Sequence, residues 1–108
     1  MGEYIRFDNE HVGRVIDRQK RTTIRMGEPF VNVGDVVDLK TARGHKFAEA
    51  EIVSVEKTEA VKAADIDFDY HRNYDSWLHF AEEMHEYYGE LIEPNTTFTV
   101  IEFEIINE

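Results

Sequence analysis

Arg18-Gln19-Lys20-Arg21-Thr22-Thr23-Ile24-Arg25-Met26, followed by Gly34-Asp35-Val36-Val37, is the stretch on which the fold turns. Thr22, Ile24 and Met26 alternate with Arg21, Thr23 and Arg25, which predicts a strand from Lys20 to Met26. Upstream, His11, Val12, Val15 and Ile16 recur at helical spacing, so residues 9–18 are expected to form a helix with one buried face. Asp8 or Asn9 can cap its start. Arg14 and Arg18 then fall in its last turn, where cations suit the helix dipole. Tyr4, Ile5 and Phe7 predict a short opening strand.

Downstream, a loop over residues 27–35 ends at Gly34-Asp35, and Val36 to Leu39 reads as a strand. After the turn Ala42-Arg43-Gly44-His45, a longer strand is expected from Phe47 to Val55, with small Ala48 and Ala50 marking close packing. Residues 57–74 are ambiguous, with a short helix around Ala60 to Asp65. Asp75 or Ser76 can cap a clear helix, because Trp77, Phe80, Ala81, Met84 and Tyr88 form one apolar stripe. Gly89 can stop that helix, and a last strand runs from Thr97 to Ile106. The predicted fold is α+β: a small, mixed, partly open β-barrel of five to six strands with two or three helices, in a single domain over residues 1–108.

Charge narrows the function. The chain has 12 basic and 23 acidic residues, for a net charge of −11, which taken alone opposes nucleic acid at long range. Its distribution is uneven. Arg14, Arg18, Lys20, Arg21 and Arg25 fall together with Asp17 as the only acid among them, so the chain is an acidic body with one basic island. The absence of cysteine excludes disulfides, thiolate metal sites and a Cys nucleophile, and fits a cytoplasmic location. No long apolar run or signal-type N-terminus is present, so no membrane association is expected. The spacing of His71, His79 and His85 does not place two imidazoles on one helical face, so neither a metal nor another cofactor is expected.

The same stretch resembles the ASCH domain family, whose members are similar in fold to the RNA-binding PUA domains. The family pattern is Gly-x-Lys-x-x-Glu-x-Arg after the first helix, then Gly-Asp at the next strand. Lys20 and Arg25 match it, Arg18 stands at the Gly position and Thr23 at the Glu position. Glu51 to Val55, Tyr87-Tyr88-Gly89 and Val100 to Phe103 fall where the family has its middle strand, its helix-ending Tyr-Gly and its last strand. Lys20-x-x-Thr23-x-Arg25 is closer still to a branch of small proteins that hydrolyse N4-acetylcytidine. That resemblance implies catalytic roles for Lys20 and Thr23, completed by a Glu before the last helix. Here Asn73 or Tyr74 occupies that place and Asp75 is the nearest acid.

Two functional readings follow. In the first, an RNA- or nucleotide-binding module contacts phosphates through Arg14, Arg18, Lys20, Arg21 and Arg25, with Tyr70, Tyr74 or Phe30 stacking on a base. In the second, an amidohydrolase uses Lys20, Thr23 and Asp75 on an acylated nucleoside. Thr23 would then need a nearby base, and Lys20 could serve only with a lowered pKa. Strand parity sets Lys20 opposite Thr23 and Arg25, so this site requires an irregularity near Lys20. The plain alternative is an interaction module with a solvated Lys-Arg turn. A monomer is expected, with RNA or a nucleoside or nucleotide as its ligand.

Overall fold

The computed structural model describes residues 3–18, 21–63 and 77–108, and of Glu10 the backbone alone. The chain runs β1 (Tyr4–Phe7), α1 (Asn9–Ile16), β2 (Thr22–Met26), β3 (Val36–Thr41), β4 (Lys46–Glu59), α2 (Ala60–Ala63), α3 (Trp77–Tyr88) and β5 (Thr97–Asn107). The strands form one sheet in the order β1-β3-β4-β5-β2. Among the described residues only β1 and β3 pair in parallel. This is the expected α+β architecture, a curled half-barrel with three helices among the described residues, open between β1 and β2.

Several element boundaries differ from the sequence reading. α1 stops at Ile16, so Arg18 lies beyond the helix and not in its last turn. Arg18 takes φ 60, the left-handed region that ends helices. Asp8 occupies the N-cap position, yet its carboxylate makes no capping bond. β4 runs from Lys46 to Glu59, well past Val55, because β5 is long enough to pair with it as far as Thr97. A bulge between Ile52 and Ser54 turns Val53 outward, and strand parity restarts beyond it. The bulge lets both Ile52 and Val55 face the same core.

The sheet buries both faces. On its concave side Ile5, Phe7, Val15, Leu39, Ile101 and Phe103 pack with the small Ala48 and Ala50. The Phe7 and Phe103 rings lie 5.7 Å apart over this floor. On the other side α3 lays its stripe of Trp77, Phe80, Ala81, Met84 and Tyr88 against Ile24, Met26, Ile92 and Phe98. Phe80 and Phe98 meet edge to face at 5.1 Å. β5 serves both cores by parity: Phe98 and Val100 face α3, while Ile101 and Phe103 face α1.

Candidate functional site

β2 carries the centre of the quoted stretch. It pairs with β5 through Thr23↔Ile101 and Arg25↔Thr99, which turns Thr23 and Arg25 toward the concave face. Thr23 is only 2% exposed. Arg25 donates to the Thr23 Oγ1 through Nη1. The same nitrogen donates to the Ile24 carbonyl at 2.8 Å, and Nη2 donates to the Arg6 carbonyl at 2.7 Å. Its guanidinium carbon sits 5.5 Å from the centre of the Phe7 ring.

These contacts give Arg25 a structural task. β1 and β2 are the two edges of the sheet, and no ladder joins them. The Arg25 guanidinium spans that gap and satisfies a carbonyl on β1. Burial lowers the Arg25 pKa from its ordinary value, while the fields of Tyr88, Tyr87 and Asp8 act in the opposite direction. A guanidinium stays protonated under such shifts. Asp8 thus supports a half-buried cation across space, though it makes no capping bond at α1. Nearby, Thr99 Oγ1 donates to the Gly27 carbonyl at 2.8 Å and the Met26 N–H donates to the Tyr88 hydroxyl at 3.2 Å. The turn after β2 is tied by Lys57 to Glu28 at 3.0 Å.

Arg18 and Arg21 sit at the other end of β2. Arg18 Nη1 donates to the Ile16 carbonyl at 2.6 Å and pairs with Glu108 at 2.7 Å. Arg21 Nε donates to the Arg18 carbonyl at 3.1 Å, and the Phe103 N–H donates to the Arg21 carbonyl at 2.9 Å. Together they wall a cavity of about 290 Å³, with Glu102 and Glu104 also in its lining and Val15, Val53, Phe103 and Ile105 as its apolar part. Among the described residues, Arg21, Glu102 and Glu104 have no ion-pair partner. The cavity therefore holds unneutralised charges of both signs.

The structure thus brings Thr23 to Arg25, and Arg18 to Arg21, in two separate places. Lys20, Tyr70, Tyr74 and Asp75 lie outside the described residues. Arg14 is exposed in the last turn of α1, and Phe30 is 40% exposed on the loop after β2. Glu102 and Glu104 were not among the residues singled out from sequence, although their alternation with Ile101, Phe103 and Ile105 marks them as outward-facing. Among the described residues no three His, Asp or Glu side chains gather as a metal site, and no helix is long and apolar enough to cross a membrane.

No protein-family model matches the sequence, and no curated protein does. Solved structures do match. One is an ASCH domain from Lactobacillus crispatus JV V101, at 15% identity and TM-score 0.65, covering 98% of this chain and 81% of that one. Another is the protein EF3133 from Enterococcus faecalis V583, at 15% identity and TM-score 0.70, covering 99% and 77%. A third is the S128A mutant of ZmASCH from Zymomonas mobilis, at 12% identity and TM-score 0.63, covering 96% and 72%. The chain has the ASCH-domain fold.

Proposed function

We propose that the protein is an RNA- or nucleotide-binding module of the ASCH type that takes its ligand between Arg18, Arg21 and β5. The observation that carries this reading is the cavity itself. Its volume of about 290 Å³ is near the lower end of small-ligand sites, roughly 300 Å³. Arg21 keeps free guanidinium donors in it, which suit a phosphate. The carboxylates of Glu102 and Glu104 can accept from amino groups on a base edge, so the two charge signs fit the two ends of a nucleotide.

Calorimetric titration with nucleoside 5′-monophosphates and the parent nucleosides tests it. The monophosphates bind more tightly, and Arg21→Gln removes that advantage. Equal affinity for nucleotide and nucleoside overturns the reading.

The second reading, hydrolysis of an acylated nucleoside, has one observation in its favour. The Arg25 hydrogen bond polarises the Thr23 oxygen and leaves its hydroxyl proton available to a base. The burial of Thr23 counts against it, since a nucleophile must meet its substrate. Turnover of N4-acetylcytidine by pure protein, lost in both Lys20→Ala and Thr23→Ala, would favour this reading over the first.

A further inference from the structure

The outer face of β1 and β3 presents a second group of cations. Register pairs Arg6 with Lys40 and Tyr4 with Asp38. Parity turns Tyr4 and Arg6 outward while Ile5 and Phe7 enter the core. Tyr4 is 44% exposed, with Lys40 Nζ 4.3 Å and the Arg6 guanidinium 5.6 Å from its ring centre. The β3–β4 turn lies against this pair, since a Cβ on Gly44 would sit 3.8 Å from Arg6 Nη2. Arg43, exposed in that turn, adds a third cation.

Acids outnumber bases 23 to 12 in this chain, so most cations have carboxylates to meet. Yet Arg6, Lys40 and Arg43 have no ion-pair partner among the described residues. Of the acids nearby, Asp38 and Glu49 are already engaged. Lys46 binds Asp38 at 3.3 Å and Glu49 at 3.4 Å, and these two carboxylates hold its pKa up against the opposing effect of desolvation. Three cations without an ion-pair partner among the described residues thus gather near an exposed aromatic ring on an acidic body.

We infer that the corner formed by Tyr4, Arg6, Lys40 and Arg43 is a docking surface for single-stranded RNA, distinct from the cavity at Arg18 and Arg21. Charge complementarity and shape favour this occupant. A single strand is narrow and can place phosphates on three cations while one base meets the exposed tyrosine. A wide anionic surface would bring many charges within about 8 Å of the acidic body, inside the screening length, and be repelled. The inference shares a ligand class with the proposal above but none of its residues.

Fluorescence anisotropy with a labelled single-stranded oligoribonucleotide, repeated over a range of salt, tests it. Combined Arg6→Gln, Lys40→Gln and Arg43→Gln should weaken binding and flatten the log-log salt slope by about 2, at ~0.7 per lost phosphate contact on a single strand. Lys57→Gln, which removes an exposed cation paired with Glu28 away from β1 and β3, should leave both unchanged. An intact melting transition and circular dichroism spectrum show that the triple variant is folded. If the triple variant binds as the parent does, the inference falls. Loss confined to an Arg18→Ala, Arg21→Ala variant overturns this surface and leaves the cavity reading standing. Loss confined to the triple variant supports this surface and removes RNA from the cavity. Binding to anionic vesicles in place of RNA, or no RNA binding at low salt, also overturns it.

Discussion

β2 buries both faces, but in different company. Ile24 and Met26 meet Phe80, Phe98 and Ile92, an apolar contact with no directional demand. Thr23 and Arg25, one residue along in each case, meet polar atoms: the threonine hydroxyl, two carbonyls and the face of Phe7. The first face holds α3 to the sheet. The second holds together two sheet edges that no ladder joins. A polar group is buried at low cost only when its hydrogen bonds are satisfied, and Arg25 places three such bonds at once, one of them on a β1 carbonyl. The residues carrying the quoted motif thus divide in two. Arg25 is committed to the fold, whereas Arg18 and Arg21 retain surface for a ligand.

The two helix ends show the same division. α3 ends with Gly89 at φ 73, where nothing forces a side chain to be present. α1 ends with Arg18 at φ 60, the position at which the resemblance has Gly. An L-residue in that region costs about 1 kcal/mol relative to Gly. The guanidinium offsets this cost by capping the Ile16 carbonyl and pairing with Glu108, and it also lines the cavity.

The largest expected effect lies on the apolar face. Phe98→Ala should destabilise by about 3–5 kcal/mol in chemical denaturation. On the polar face, Arg25→Ala should cost about 2–4 kcal/mol, because carbonyls on β1 and β2 lose their donor together. Arg25→Lys should recover little, since an ammonium lacks the planar fork that reaches separated acceptors. If Arg25→Ala melts like the parent, the polar face is not a latch. At the helix ends, Gly89→Ala should destabilise by about 1 kcal/mol. Arg18→Gly should change stability by less than about 0.5 kcal/mol, as relief of the backbone cancels loss of a cap and an exposed ion pair. A loss above 2 kcal/mol would place Arg18 with Arg25 as a structural residue. The smallest effect concerns Tyr87, largely exposed, whose phenol is pushed above its usual 10.0 first by partial desolvation and then by the field of Asp8. Its ionised form is disfavoured in the fold, so stability should hold below the usual tyrosine range and decline above it. Tyr87→Phe should lessen that decline, followed as the change of the denaturation midpoint with pH.

Local pattern made much of this legible. The stripe from Trp77 to Tyr88, the alternation along β5 and the stop at Gly89 each rest on neighbours a few residues apart, and each appears in the structure. The extension of β4 to Glu59 was not legible, because it depends on pairing with β5 some 40 residues away. The end of α1 at Ile16 was missed for a different reason: helix stops are read from Gly, and Arg18 takes that backbone role without being one. The basic island was visible as composition, but composition could not say which cations are spent inside the fold. Arg25 faces a carbonyl 19 positions earlier, and the Arg6, Lys40 and Arg43 corner exists only because β1 pairs with β3.

One titration tests the division most directly. Single-stranded RNA binding is followed by anisotropy over a range of salt for the parent and for a variant carrying Arg18→Gly and Arg21→Gln. Both proteins are first shown to melt together. If Arg18 and Arg21 face the ligand, the variant binds more weakly and its log-log salt slope is shallower by about 1.4, the contribution of two phosphate contacts to a single strand. Parallel lines of equal affinity would contradict the account.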